Sequence, residues 1–322
     1  MFSRRTALRL GLAVGTTSLA NLQVLADEAA PTVKTIINFD VPAGATDCHV
    51  HVFPDPASFP FWPGRTYTPP TAAAAQLLAL QKALHMDRVI VVTPSIYGTD
   101  NSATLDALRQ LGPVRSRGVA VISENTSSAE LDRLQKAGIS GIRLNLETAG
   151  VADPTAAAHL LDVAMKQIAG RNWHVEIYVR MSVIAALADL LGSQPVPILF
   201  DHFAGARASL GLQQPGFAEV ITLLKAGKVY VNLSGAYRAS DETPDYPDVA
   251  PLAKTLIAAN PERLVWGSDW PHPGNPGRKP TDVVPALPID DGRVLNLLGE
   301  WAPTAALRQT ILVDNPKRLF GF

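Results

Sequence analysis

Asp47-Cys48-His49-Val50-His51 closes the first apolar run of the chain, and Trp266-Gly267-Ser268-Asp269-Trp270-Pro271-His272 closes the last. Side chains alternate along a strand with a period of two, so the imidazoles of His49 and His51 share one side. Such a pair can bind a metal or grip a substrate carbonyl. A lone Asp at the tip of a last strand can then serve as a base. Two polar clusters of this kind, one at each end of the sequence, point to a barrel whose site is assembled from many strand tips.

Working outward from those motifs, short runs rich in Val, Ile and Leu recur at residues 45–53, 88–93, 117–123, 141–146, 174–179, 196–201, 229–234 and 264–267. They mostly lack polar alternation, as strands covered on both faces do. Between them, residues 71–84, 101–111, 127–137, 154–169 and 182–191 carry helical spacing. Ser127 with Glu130 three residues later predicts a capping box. Eight strands alternating with helices predict an α/β fold, a (β/α)8 TIM-like barrel in a single domain spanning 45–322. A doubly wound open sheet is the alternative, but the Gly-rich phosphate loop that would favour it is missing after the first strand. The Pro-rich segment 53–70 predicts a long functional loop over the barrel mouth. Residues 270–291 predict a second long loop, and the tail a capping helix.

The chain has 322 residues, 47% of them hydrophobic, and a formal net charge of −1. That composition lacks the basic footprint of a nucleic-acid binder. With one cysteine, Cys48, no intramolecular disulfide is possible, and Cys48 reads as a packed small side chain. Residues 1–26 read as a signal peptide of the twin-arginine type. Arg4 and Arg5 precede a short apolar run, and Val24-Leu25-Ala26 offers small residues for cleavage. The run is too short and too weakly apolar for membrane insertion. The expected location is therefore periplasmic or exported. Residues 27–44 predict a loose, extended lead-in broken by Pro31 and Pro42.

The strand ends collect the polar residues. They supply His49 and His51, then Ser95 and Tyr97, Arg143 and Asn145, Tyr178, Asp201 and His202, Ser234, Tyr237 and Arg238, and finally Asp269. His85 and His159 fall in helical patterns and read as surface. Trp62 reads as a loop residue able to close over substrate or to anchor packing, and His272 as a residue that orients the site from behind.

These motifs, together with Arg65-Thr66-Tyr67-Thr68-Pro69, Gly141-Ile142-Arg143 and Leu233-Ser234-Gly235, resemble the amidohydrolase superfamily. The likeness is to the branch containing pyrone-dicarboxylate lactonase, sulfomuconolactone hydrolase and galactarolactone isomerase. It implies a hydrolase that opens a lactone or similar cyclic ester of a small organic acid. Asp269 is the implied general base, with His49, His51 and His202 polarising the carbonyl. Tyr67, Ser95, Arg143, Tyr178 and Arg238 are the implied substrate-positioning residues, with arginines suited to a carboxylate. Two arginines expected in pyrone lactonases are replaced here by Ala149 and Gly205, with Arg207 a possible substitute for the second. The departures favour a monocarboxylate or a less charged lactone over a dicarboxylate. The resemblance favours catalysis without a cofactor, since strand 5 ends in Tyr178 rather than a ligating histidine. The alternative is a divalent metal, Zn or Mn, on His49, His51 and Asp269, in a decarboxylase or amidohydrolase of the aminocarboxymuconate type.

Overall fold

The computed structural model describes residues 33–274 and 279–322. Eight strands form one parallel sheet in sequence order: β1 Thr46–Val50, β2 Arg88–Val92, β3 Ser116–Ala120, β4 Ile139–Asn145, β5 His174–Tyr178, β6 Ile198–Phe200, β7 Val229–Ser234 and β8 Leu264–Gly267. The sheet closes where β8 returns to β1. The Asp269 N–H donates to His49 O and the His51 N–H to Trp270 O, at 2.9 and 2.8 Å. Deeper in the seam the Asp47 carboxylate accepts from the Ser268 N–H and hydroxyl, at 2.9 and 2.7 Å. Gly267 permits this approach, because a Cβ there would lie 2.7 Å from the Cβ of His49. The result is a (β/α)8 barrel, and every predicted strand is present.

Helices form the outer layer: α1 Ala74–Ala83, α2 Ser102–Leu111, α3 Ser128–Lys136, α4 Pro154–Ile168, α5 Met181–Ala186, α6 Ala188–Gly192, α7 Phe217–Lys225, α8 Ala236–Ala239, α9 Ala250–Ala259, α10 Asp291–Trp301, α11 Ala305–Gln309 and α12 Asn315–Phe320. The helix expected over 182–191 is interrupted at Leu187, which leaves helical geometry between α5 and α6. The capping box expected at Ser127 is half formed. Its hydroxyl caps the Glu130 N–H, but the Glu130 carboxylate turns to Arg133 at 2.7–2.8 Å.

Two apolar layers follow from the strand alternation. Val89 and Val91 face helix residues such as Leu77 and Leu80, while Ile90, Val92, Val119, Leu199 and Val265 fill the barrel with Cys48. Leu319 and Phe320 close this inner cluster, and His174 meets Phe320 edge-on at the N-terminal end of β5. The lumen is thus apolar below and polar above. The polar end is roofed by the two expected loops, joined where Thr68 pairs with Val283 and its hydroxyl donates to Pro280 O at 2.7 Å.

The signal peptide expected over 1–26 lies outside the described residues. The described part of the lead-in, 33–44, is extended but not loose. Asp290 caps α10 and also accepts from Thr35, and Asn296 bonds the backbone of Ile36 and Asn38. Among the described residues no helix is long and apolar enough to cross a membrane.

Candidate active site

At the C-terminal end of the barrel the strand tips deliver one buried cluster. The rings of His49, on β1, and His51, just past its end, stand 4.9 Å apart, edge to face, and His202 meets His49 at the same distance. Asp269 follows β8 with φ of 64°, and His202 follows β6 with φ of 46°. Both are left-handed conformations that cost a non-glycine residue about 1–3 kcal/mol, and they turn the side chains inward over the barrel axis.

Asp269 is fully buried, and its two oxygens have different surroundings. Oδ2 accepts from the Tyr237 hydroxyl and from Arg238 Nε, both at 2.6 Å. Oδ1 has no hydrogen-bond partner and faces His49 Nε2 at 3.7 Å and His51 Nε2 at 4.0 Å. Behind His49, its Nδ1 lies 3.3 Å from Glu176 and 3.4 Å from Asp201. Arg143 completes the group, donating to Asp201 from Nε and Nη2 at 3.2 and 2.8 Å.

The charges follow from these contacts. Burial opposes protonation of His49, but Asp201 and Glu176 outweigh it and raise its pKa to about 10. Burial, the charge on His49 and Arg143 push His51 well below the usual imidazole range. His202 is lowered to about 3, chiefly by burial, against the pull of Asp269. Glu176 rises to about 7 through burial and the neighbouring Asp201. Burial also opposes ionisation of Asp269, yet the surrounding cations, Arg238 foremost, hold it well below the ordinary carboxylate range. The cluster therefore sets an ionised Asp269 between a protonated His49 and two neutral histidines.

Above it opens a cavity of about 390 Å³. Seven of the nine sequence-predicted residues line it: His51, Tyr67, Ser95, Arg143, Tyr178, His202 and Arg238. His49 and Asp269 lie beneath, wholly buried. Tyr67 is pushed up to about 12 by burial and stays a neutral donor. Arg207 does not replace a missing pocket arginine, since it lies exposed against Arg238 O and Asp241. Nor can Gly205 carry a side chain without movement: a Cβ there would meet Val179 O at 2.9 Å. His85 and His159 are on the surface and Cys48 is fully buried. His272 is buried behind Tyr237, its Nε2 3.0 Å from Asp291.

Two residues were harder to find in the sequence. Glu176 sits inside the apolar run of β5, and its signal was a carboxylate that alternation places in the barrel with His174 and Tyr178. Tyr237 was visible as a polar residue after β7, but its bond to Asp269 depends on how α8 turns.

Among the described residues, two groups could hold a cation: His49, His51 and Asp269, or His49, Asp201 and His202. The first fits best. His51 Nδ1 contacts Val92 O at 2.8 Å, a bond it makes as donor, which leaves Nε2 a free lone pair toward the unpartnered Asp269 Oδ1. Carboxylates behind the Nδ1 of a ligating histidine are the usual support of such a site.

Fold and site together define a barrel enzyme with its acid–base groups at the strand tips. The amidohydrolase family model matches residues 46–322, and the chain belongs to that family and is a hydrolase. It is 35% identical to 4-sulfomuconolactone hydrolase of Hydrogenophaga intermedia, over 88% of this chain and 91% of the relative. It is also 35% identical to 2-pyrone-4,6-dicarboxylate hydrolase of Comamonas testosteroni, over 88% and 92%. A Pseudomonas putida structure described as a candidate 2-pyrone-4,6-dicarboxylic acid hydrolase superposes with a TM-score of 0.71 at 32% identity, covering 88% of this chain and 98% of the other.

Proposed function

We propose that this protein hydrolyses a lactone bearing one carboxylate, with Asp269 as general base. The observation that carries the reading is the asymmetry of Asp269. Tyr237 and Arg238 fix Oδ2, while Oδ1 is left bare beside His51. A carboxylate held this way stays ionised and presents one lone pair to water.

The histidines divide the work more finely than a common polarising role. With its Nδ1 proton on Val92 O, neutral His51 can only accept at Nε2. It therefore orients the attacking water together with Asp269 Oδ1. His202 is the better donor to the carbonyl. When Ser234 donates to its Nδ1, at 2.9 Å, the Nε2 carries the proton. His49, protonated and buried, supplies a fixed positive charge beneath the developing oxyanion. As the water oxygen bonds to the carbonyl carbon, its proton passes to Asp269. The ring C–O bond then breaks and that proton returns to the departing ring oxygen, leaving an open hydroxy acid. Arg238, Tyr67 and Tyr178 line the cavity and are the groups to bind the substrate carboxylate.

The test is hydrolysis of small lactones with and without a ring carboxylate, followed by proton release. Turnover confined to carboxylated lactones is expected. Turnover of none, with CO2 released instead from a carboxylated substrate, would replace this reading with a decarboxylase.

The free lone pairs of His51 and Asp269 favour one second reading, a divalent metal held by His49, His51 and Asp269. Bound there, Zn or Mn would supply Lewis-acid activation of water. Elemental analysis after chelation and desalting separates the two. Under the first reading lactone hydrolysis survives with less than about a tenth of an equivalent of metal. Near one equivalent, with activity lost on its removal, establishes the second. We also propose, from residues 1–26, that the mature enzyme acts outside the cytoplasm; a fusion of those residues to a reporter, scored for export, tests it.

A further inference from the structure

A second cavity, of about 680 Å³, adjoins the catalytic pocket. The two share Thr66, Ser95, Asn145 and Thr148 as a common wall. The far side of this annex is built from Trp62, Tyr97 and Ala149.

Trp62 is fixed there. Its backbone N–H donates to Ile96 O at 2.8 Å, and its indole packs on Gly98, where an added Cβ would lie 3.1 Å from Trp62 Cγ. Gly98 has φ of 57°, so the close approach and the backbone both require glycine. Trp62 as a residue is nonetheless 50% exposed. Beside it Tyr97 is 98% buried by its 2% exposure, yet its hydroxyl has no partner, and neither has Asn145 Oδ1. Unsatisfied buried polar atoms are rare in native proteins and call for an explanation. The rim carries two charged residues. Arg65 donates to Thr68 Oγ1 and Trp62 O, and Asp100 accepts from the Ser102 N–H. Both acceptors of Arg65 are neutral, so its positive charge stays at the rim of the annex. A flat group would meet the indole of Trp62, with the hydroxyl-bearing Thr66, Ser95 and Thr148 in the same lining.

We propose that the annex is a specificity subsite for a flat substituent, an aryl or conjugated group with a hydrogen-bonding atom, on the ring of the substrate. The proposal rests on the lactone reading for what carries that substituent, but not for the subsite itself. Ala149 lines the annex, and an arginine at that position would narrow it.

Binding measured by calorimetry with two acids tests this: benzoate, which reaches the catalytic pocket alone, and biphenyl-3-carboxylate, whose second ring extends into the annex. Wild type is expected to bind the two-ring acid at least tenfold more tightly, about 1.4 kcal/mol. Trp62→Ala, at an exposed position, should bring the ratio to within threefold of unity while benzoate affinity stays within twofold, and Ala149→Arg should lower the ratio by narrowing the annex. A wild-type ratio near one, no binding of the two-ring acid, or a ratio unchanged in both variants overturns the proposal. Lactone turnover is scored separately. A preserved ratio with no lactone hydrolysed refutes the lactone reading alone, and hydrolysis with a ratio near one refutes the subsite alone.

Discussion

Asp269 works because its neighbours leave it one oxygen. The Tyr237 hydroxyl is the neutral half of the clamp on Oδ2, and it is a positioning residue rather than a group in the reaction. A hydrogen bond to a charged group contributes about 1.5–3 kcal/mol. Tyr237→Phe keeps the ring against His272 and should lower kcat by roughly 10- to 100-fold with KM little changed. A fall in kcat/KM carried by KM alone would instead place Tyr237 on the substrate. Arg143 has two duties, since it lines the pocket and also neutralises Asp201. Arg143→Met should therefore cost about 3–5 kcal/mol in denaturant unfolding, besides weakening substrate binding, because it strands buried carboxylates. A stable variant with only a raised KM would make it a substrate ligand and nothing more. The chemistry-bearing residues at strand tips were legible from sequence because alternation and a terminal apolar run locate them. Glu176 was not, because its function exists only across the barrel, against a histidine 127 positions earlier in the chain.

At the scale of elements, the seam between β1 and β8 depends on one side chain. Asp47 takes two bonds from Ser268 and one from Gln81, all buried, and burial raises its own pKa to about 6. Asp47→Ala leaves those donors without partners and should cost about 2–4 kcal/mol, read from the urea midpoint at unchanged slope. A cost below about 0.5 kcal/mol would mean that the backbone bonds of His51 and Asp269 hold the seam unaided. Ser127→Ala, at the start of α3, should cost only about 1 kcal/mol, since the missing half of the capping box leaves a single bond to lose. The strands were readable to within a few residues because buried parallel strands are continuous apolar runs. The break at Leu187 was not, because the flanking residues keep helical spacing while the backbone does not. The lead-in was readable as extended, but its docking on α10 pairs residues about 255 apart, a contact no local pattern encodes.

Across the whole molecule the barrel separates a stabilising end from a reactive one. His174 marks the first, buried against Phe320 and Ser140 O, with its pKa lowered to about 4, chiefly by burial. The folded protein keeps this imidazole neutral, whereas the unfolded chain takes up a proton below about 6.5. Its contribution is thus present above pH 6.5 and shrinks as the pH falls toward 4, by about 3 kcal/mol in all. His174→Gln should flatten that part of the stability–pH curve; an unchanged slope would assign the acid sensitivity elsewhere. The opposite end gathers side chains from the first and last strands around one carboxylate, and the proposed activity stands or falls with it. The most direct measurement is the turnover of a carboxylated lactone by Asp269→Asn beside wild type, with the melting temperature of each. The account requires kcat to fall by at least about 1,000-fold while the variant stays folded. Turnover within a few-fold of wild type from a folded Asp269→Asn protein would contradict it.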